Sequence, residues 1–187
     1  MRLWTREHVY DHSWDLVTFA HWNKYPHSKY SHVLDVAVLD QHVDVTAGTL
    51  HTTRLFQCEG NTPSFMKIFI GGSMNHAYMI EKSVVNARDR KMVLKAHNIS
   101  FSNFLEIVET CTYSPHPEIQ GKTLFVQEAC IKAYLPTSLL KGKAEGWGIA
   151  NFNKNSPKGV EVINELCNKL GKQESPQQEI EFLQAAE

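Results

Sequence analysis

Cysteine is sparse and unpatterned: Cys58, Cys111, Cys130 and Cys167 stand far apart, and no Cys-x-x-Cys pair occurs. That spacing lends no support to a zinc ribbon or a disulfide framework, and all four are expected as buried free thiols within patterned elements. Neither sign of charge dominates: 19 Lys and Arg against 20 Asp and Glu leave a net charge of −1. A nucleic-acid-binding stripe is therefore not indicated. No apolar run reaches the ~20 residues a bilayer-spanning helix requires. Catalytic signatures are missing as well: there is no Gly-x-Ser-x-Gly elbow, no phosphate-cradling glycine loop and no His-Glu-x-x-His. Aspartates and glutamates fall mostly in turns or at alternating positions expected on exposed strand faces. The expectation is a protein that is not an enzyme and needs no cofactor. No metal site is expected either, because His8 and His12, spaced as for a helix, span a strand and a turn.

At 187 residues the chain is sized for one domain with a core and a cavity. It opens on a strand-like segment, Leu3 to Tyr10, with no signal-peptide pattern, so it is expected to be made as a soluble protein. Ser13 is a natural N-cap for a helix to about Asn23 with Trp14, Val17 and Ala20 on one stripe, and Tyr25-Pro26 ends it. Strands are predicted at Val33–Asp40, Leu50–Cys58, Ala77–Val85, Lys91–Ile99, Leu105–Tyr113 and Leu124–Tyr134. Turn-like pieces such as Thr46-Ala47-Gly48 and Asn86-Ala87-Arg88-Asp89 separate them. Such short connections imply an antiparallel meander. A helical region follows from Ser138 to about Leu170, and a Gln/Glu-rich tail from Gln173 reads as a loosely docked end. The sequon Asn98-Ile99-Ser100 is expected to be idle.

Several residues break these patterns in ways that bear on function. His32 shares a parity with Leu34, Val36 and Val38, and Arg54 shares one with Leu50, Thr52 and Phe56, so each basic group is expected on a buried face. An inward cation demands an anion, either a structural carboxylate or a ligand. Pro63-Ser64-Phe65-Met66-Lys67-Ile68-Phe69-Ile70, bracketed by Gly60 and Gly71-Gly72, is apolar and short. It reads either as a core helix crossing one end of the sheet or as a glycine-hinged lid. In the C-terminal helix Leu140, Ala144, Trp147, Asn151, Asn155, Lys158, Val162 and Leu166 fall at helical spacings. The polar trio at the centre of this stripe either lines a polar pocket or marks a surface bend at Pro157.

The runs Leu3-Trp4-Thr5-Arg6-Glu7-His8-Val9-Tyr10, Lys24-Tyr25-Pro26, His32-Val33-Leu34, Val38-Leu39-Asp40 and Leu50-His51-Thr52-Thr53-Arg54-Leu55 resemble the PRELI/MSF1 family. So do Ser83-Val84-Val85-Asn86, Asn98-Ile99-Ser100-Phe101 and Lys158-Gly159. Tyr113-Ser114-Pro115-His116-Pro117 is similar to its slowmo-like branch. The resemblance spans roughly residues 1–170 and leaves 171–187 as a tail. It implies an α+β fold, a curved antiparallel sheet of about seven strands packed on helices around a single lipid cavity. It further implies transfer of anionic glycerophospholipid, phosphatidylserine or phosphatidic acid, between mitochondrial membranes in the intermembrane space. A small helical-hairpin partner with twin Cys-x9-Cys motifs and transient membrane contact are implied with it. By position, Lys24, His32, Arg54, Asn151, Asn155 and Lys158 match the head-group region, and Pro63, Phe65, Met66, Ile68, Phe69, Gly71 and Gly72 match the lid. The chain departs from basic relatives in having Cys58, Asn61 and Asn151 where they carry lysine. It also has Lys24 where some have arginine and Phe65 where some have tryptophan. Fewer cations and added amides lean toward phosphatidylserine. The competing expectation from another class is an adaptor without lipid cargo, whose apolar patches are partner surfaces.

Overall fold

The computed structural model describes residues 1–60 and 75–173, with Ser64 and Lys67 between them. The elements are β1 (Arg2–Tyr10), α1 (Trp14–Trp22), β2 (Val33–Asp44), β3 (Thr49–Glu59), β4 (His76–Asn86), β5 (Lys91–Asn98), β6 (Leu105–Pro115), β7 (Thr123–Ala133) and α2 (Ser138–Gln173). A 3-10 turn, Ser28–Tyr30, precedes β2. All strand pairings are antiparallel, in the order β1-β7-β6-β5-β4-β3-β2. β2 to β7 form an uninterrupted meander, and β1 adds itself beside β7. The result is a seven-stranded curved sheet in an α+β fold.

Local chemistry sets these elements. Ser13 caps α1, its Oγ accepting from the Leu16 amide at 3.5 Å, and the helix ends where the Asn23 amide bonds the Ala20 and Phe19 carbonyls. Gly48, at φ +69°, turns β2 into β3 in a conformation that side chains disfavour. Asn86 turns β4 into β5, its Oδ1 accepting from the Arg88 and Asp89 amides at 3.0 Å each. In β7 burial alternates strictly, with Thr123, Phe125, Gln127, Ala129, Ile131 and Ala133 inward. Asn98 of the sequon is engaged by its own fold: its amide donates to the Ser100 and Leu105 carbonyls, and its oxygen accepts from the Ile107 amide.

Two buried clusters hold the helices on the sheet. Tyr10, Trp14, Val17, Met92, Tyr113, Phe125, Ile163 and Cys167 join α1 and the second half of α2 to the strands. Leu105, Ile131, Ala133, Leu135 and Ala144 anchor the first half of α2. Each large apolar side chain buried here contributes about 1.5–3 kcal/mol. α2 packs tightly at Gly148, where an added Cβ would lie 3.0 Å from the Ile131 side chain. Between the clusters the two layers do not close.

Three expectations need correction. β2 is not a buried strand: it is the exposed sheet edge, with Leu34 45 % and Val38 59 % accessible, and His32 in the turn before it is exposed too. Register shifts at Val33/Asp35 and Val38/Asp40 break its parity. α2 is helical throughout Ser138–Gln173, with Pro157 inside it. Its buried face is turned from the expected stripe, running through Ala144, Gly148, Ser156, Val160, Ile163 and Cys167, while Asn155 and Lys158 are exposed on its flank. The cysteines are free thiols, but only Cys167 is buried, the other three being half-buried. The lid residues Pro63, Phe65, Met66, Ile68, Phe69, Gly71 and Gly72 lie outside the described residues, as does the tail from residue 174.

Candidate functional site

The sheet's inner face is read most simply along its cross-strand rows. Val38, Arg54, Glu81, Ala96, Glu109, Ala129 and Trp4 are successive partners from edge to edge. Opposed residues share a face, so one row carries a guanidinium, two carboxylates and two alanines into the interior. Ala96 fills little volume, and a recess opens above it.

That recess comprises two cavities of about 290 and 600 Å³. His32, Cys58, Met79, Asn151, Phe152 and Asn155 line both and form a shared wall. The smaller one is lined by Lys24, Tyr25, Tyr30, Glu81, Glu109, Cys111, Gln127, Ser156 and His21, over an aromatic floor of Tyr10, Tyr113 and Phe125. The larger has Tyr78, Phe101, Leu105, Ile107 and Trp147 on its walls and Glu59, Gly60 and Ala77 at its rim. Both lobes mix apolar and aromatic walls with polar groups, the larger one adding Asn98, Ser100 and Lys154 to its lining. A recess of that size and mixed lining suits an amphiphile.

The expected site residues divide between this recess and its surroundings. Lys24, His32, Asn151 and Asn155 line it. Lys158 lines neither cavity, but its charge, after burial, is the next cause holding the His32 pKa below its usual value, with Glu59 opposing. Arg54 meets the structural carboxylate: its Nε and Nη2 donate to Glu81 Oε1 at 2.9 and 2.6 Å. Both residues are buried, at 4 % and 8 % accessibility, and the guanidinium lies 4.6 Å from the Trp22 ring and 5.2 Å from the Phe56 ring. Stacked and bonded in this way, Arg54 is absent from the cavity lining.

Sequence reasoning passed over the inward acids, placing them on exposed faces, whereas Glu81 and Glu109 face the recess. A signal was present, since Glu109 shares its parity with Leu105, Ile107, Cys111 and Tyr113. Glu109 Oε1 accepts from Gln127 Nε2 at 2.5 Å and from the Cys111 thiol at 3.5 Å, and Ser156 donates to Gln127 Oε1 at 2.6 Å. Burial raises the Cys111 thiol well above its usual range, with the Glu109 charge adding to it. Burial likewise pushes Tyr30 up to about 12 and raises Tyr25, so both phenols remain neutral hydrogen-bonding groups. His21 is held well below its ordinary value, by burial first and then by the Lys24 and Arg54 charges. Its Nδ1 meets the Tyr113 hydroxyl at 3.1 Å, and its buried Nε2 has no partner among the described residues.

A twisted antiparallel sheet gripping a long C-terminal helix around an amphiphile-sized recess defines a helix-grip container. Solved structures agree on the fold: the ZhuI aromatase/cyclase of a Streptomyces species aligns at a TM-score of 0.59, with 9 % identity over 90 % of this chain and 95 % of that one. Ara h 8.0201 aligns at 0.53, with 8 % identity over 90 % and 98 %. Within that class the relatives are specific. The PRELI-like family model matches residues 15–174. The slowmo homolog of Dictyostelium discoideum is 33 % identical over 90 % of this chain and 72 % of its own length. The mitochondrial protein UPS2 of Saccharomyces cerevisiae is 36 % identical over 85 % and 69 %, and a UPS-like protein of Schizosaccharomyces pombe 34 % over 91 % of each. The chain belongs to the PRELI-like family.

Proposed function

We propose that this protein carries one anionic glycerophospholipid, phosphatidylserine or phosphatidic acid, between mitochondrial membranes in the intermembrane space, without catalysing a reaction. The observation that carries this reading is the two-lobed recess, whose size and mixed lining suit an amphiphile and whose smaller lobe holds Lys24 with no anionic partner among the described residues. Membership of the PRELI-like family and the mitochondrial relative support the setting. A phosphate in the smaller lobe is met by Lys24 and, at the rim, by His32 with the Lys158 charge near it, while Asn151, Asn155 and the neutral tyrosines offer hydrogen bonds. Arg54 serves at one remove by neutralising Glu81. Cys58 and Asn151 stand together on the shared wall, so lysines there would raise the positive charge of one spot.

Gly60, just past the end of β3, and Ala77, near the start of β4, line the larger cavity, and the 63–72 segment between them is proposed as the lid. The small twin Cys-x9-Cys hairpin is proposed as a stabilising partner. The test is transfer of fluorescent phospholipids between donor and acceptor liposomes. Protein-dependent movement of phosphatidylserine or phosphatidic acid above that of phosphatidylcholine is expected. No movement of either, with or without the hairpin partner, would leave the adaptor reading in its place.

A further inference from the structure

The row that crosses the sheet floor treats its two carboxylates differently. Glu81 has Arg54 beside it, and the pair is closed within the wall. Glu109 lies two strands further along the same row, beyond Ala96, a separation of about 10 Å at the usual strand spacing. No cation lies within ion-pair distance of it among the described residues; its partners are the Gln127 amide and the Cys111 thiol. A carboxylate facing a low-dielectric recess on neutral partners alone is costly unless a cation arrives from elsewhere. Lys24 lines the same cavity with its charge also unmatched, its Nζ 5.1 Å from the Tyr25 ring centre. The two opposite charges do not meet within 4 Å, so the cavity keeps a positive and a negative pole apart. The buried, unpartnered His21 Nε2 in the same lining is another polar atom awaiting a ligand.

We infer that Glu109 is the residue that reads the head-group ammonium of an anionic aminophospholipid, while Lys24 takes the phosphate; this rests on the transfer reading above. Gln127 and Ser156 position Glu109. The Ser156–Gln127–Glu109 chain of hydrogen bonds links α2 to the sheet and fixes the carboxylate in the cavity lining beside Ala96. A phosphate monoester lacking an amine gains nothing from Glu109 and is repelled by it, so Glu109 acts as a selectivity element as well as a contact.

The test measures transfer between liposomes of phosphatidylserine, phosphatidic acid and N-acetyl-phosphatidylserine, the last keeping phosphate and carboxylate but losing the ammonium. The wild type should move phosphatidylserine about tenfold faster than its N-acetyl form, the scale of one charge-assisted hydrogen bond. Glu109→Gln, close in shape and still able to bond Gln127, should lower phosphatidylserine transfer about tenfold, leave phosphatidic acid at least as fast as before and erase the N-acetyl difference. Equal loss of both natural lipids would make Glu109 purely structural and overturn the inference, as would unchanged phosphatidylserine transfer. Equal rates for phosphatidylserine and its N-acetyl form in the wild type overturn it without any variant. If the wild type moves none of these lipids, the transfer reading itself fails first.

Discussion

Replacing Arg54 by methionine should destabilise the fold far more than it changes the recess. The guanidinium makes two hydrogen bonds to a carboxylate that is 8 % accessible, and it fills the space between the Trp22 and Phe56 rings. Methionine keeps most of the volume but leaves the largely buried Glu81 carboxylate without its cation. Breaking a buried pair from one side costs about 3–5 kcal/mol. In a domain of this size each kcal/mol moves the midpoint by about 2–4 °C, so Tm should fall by roughly 6–20 °C. Removing both charges should recover most of that loss, because a buried pair and an apolar pair of similar volume are often close in stability. Thermal unfolding of Arg54→Met, Glu81→Leu and the double variant by circular dichroism measures all three. A single variant that melts within a degree or two of the wild type would refute the structural role. It would also return Arg54 to the ligand.

His21 makes stability depend on pH. Its folded pKa lies well below the ordinary 6.5, so below about pH 6.5 the unfolded chain binds a proton that the folded chain refuses. Stability should therefore fall as the medium is acidified through that point, by up to about 1.4 kcal/mol per pH unit, and His21→Gln should flatten the profile in urea titrations between pH 7 and 5. Overpacking the helix–sheet contact with Gly148→Val, against Ile131 at 3.0 Å, should cost about 1–3 kcal/mol in the same assay. Lysines at Cys58 and Asn151, both on the shared wall, should raise the ratio of phosphatidic acid to phosphatidylserine transferred from mixed liposomes severalfold. In the proposed lid, Phe65→Asp should slow lipid uptake from liposomes while leaving Tm within a degree or two, since a charge enters the acyl boundary only at high cost.

Strand positions were legible because period-two alternation and turn chemistry agree along β3 to β7, and predicted and observed ends there differ by at most two residues. β2 misled because its bulges at Val33/Asp35 and Val38/Asp40 change parity midway, and because an edge strand rich in valine reads as a buried one. In α2 the expected face passed through Asn151, Asn155 and Lys158 by spacing alone. The fold instead buries Gly148 and Ser156, small residues that let the helix approach Ile131 and reach Gln127. The Arg54 cation was legible as a residue needing an anion, but its partner was not. Glu81 lies 27 positions on and meets it only through the β3–β4 register. Glu109 had the right parity yet was hidden by the habit of placing acids outward.

Native mass spectrometry of the protein recovered from liposomes, followed by identification of the released ligand, measures whether the recess holds a single phospholipid. The expected species is one phospholipid heavier than the chain, with phosphatidylserine or phosphatidic acid as its occupant. A protein that emerges folded and lipid-free from liposomes rich in both would contradict that occupancy.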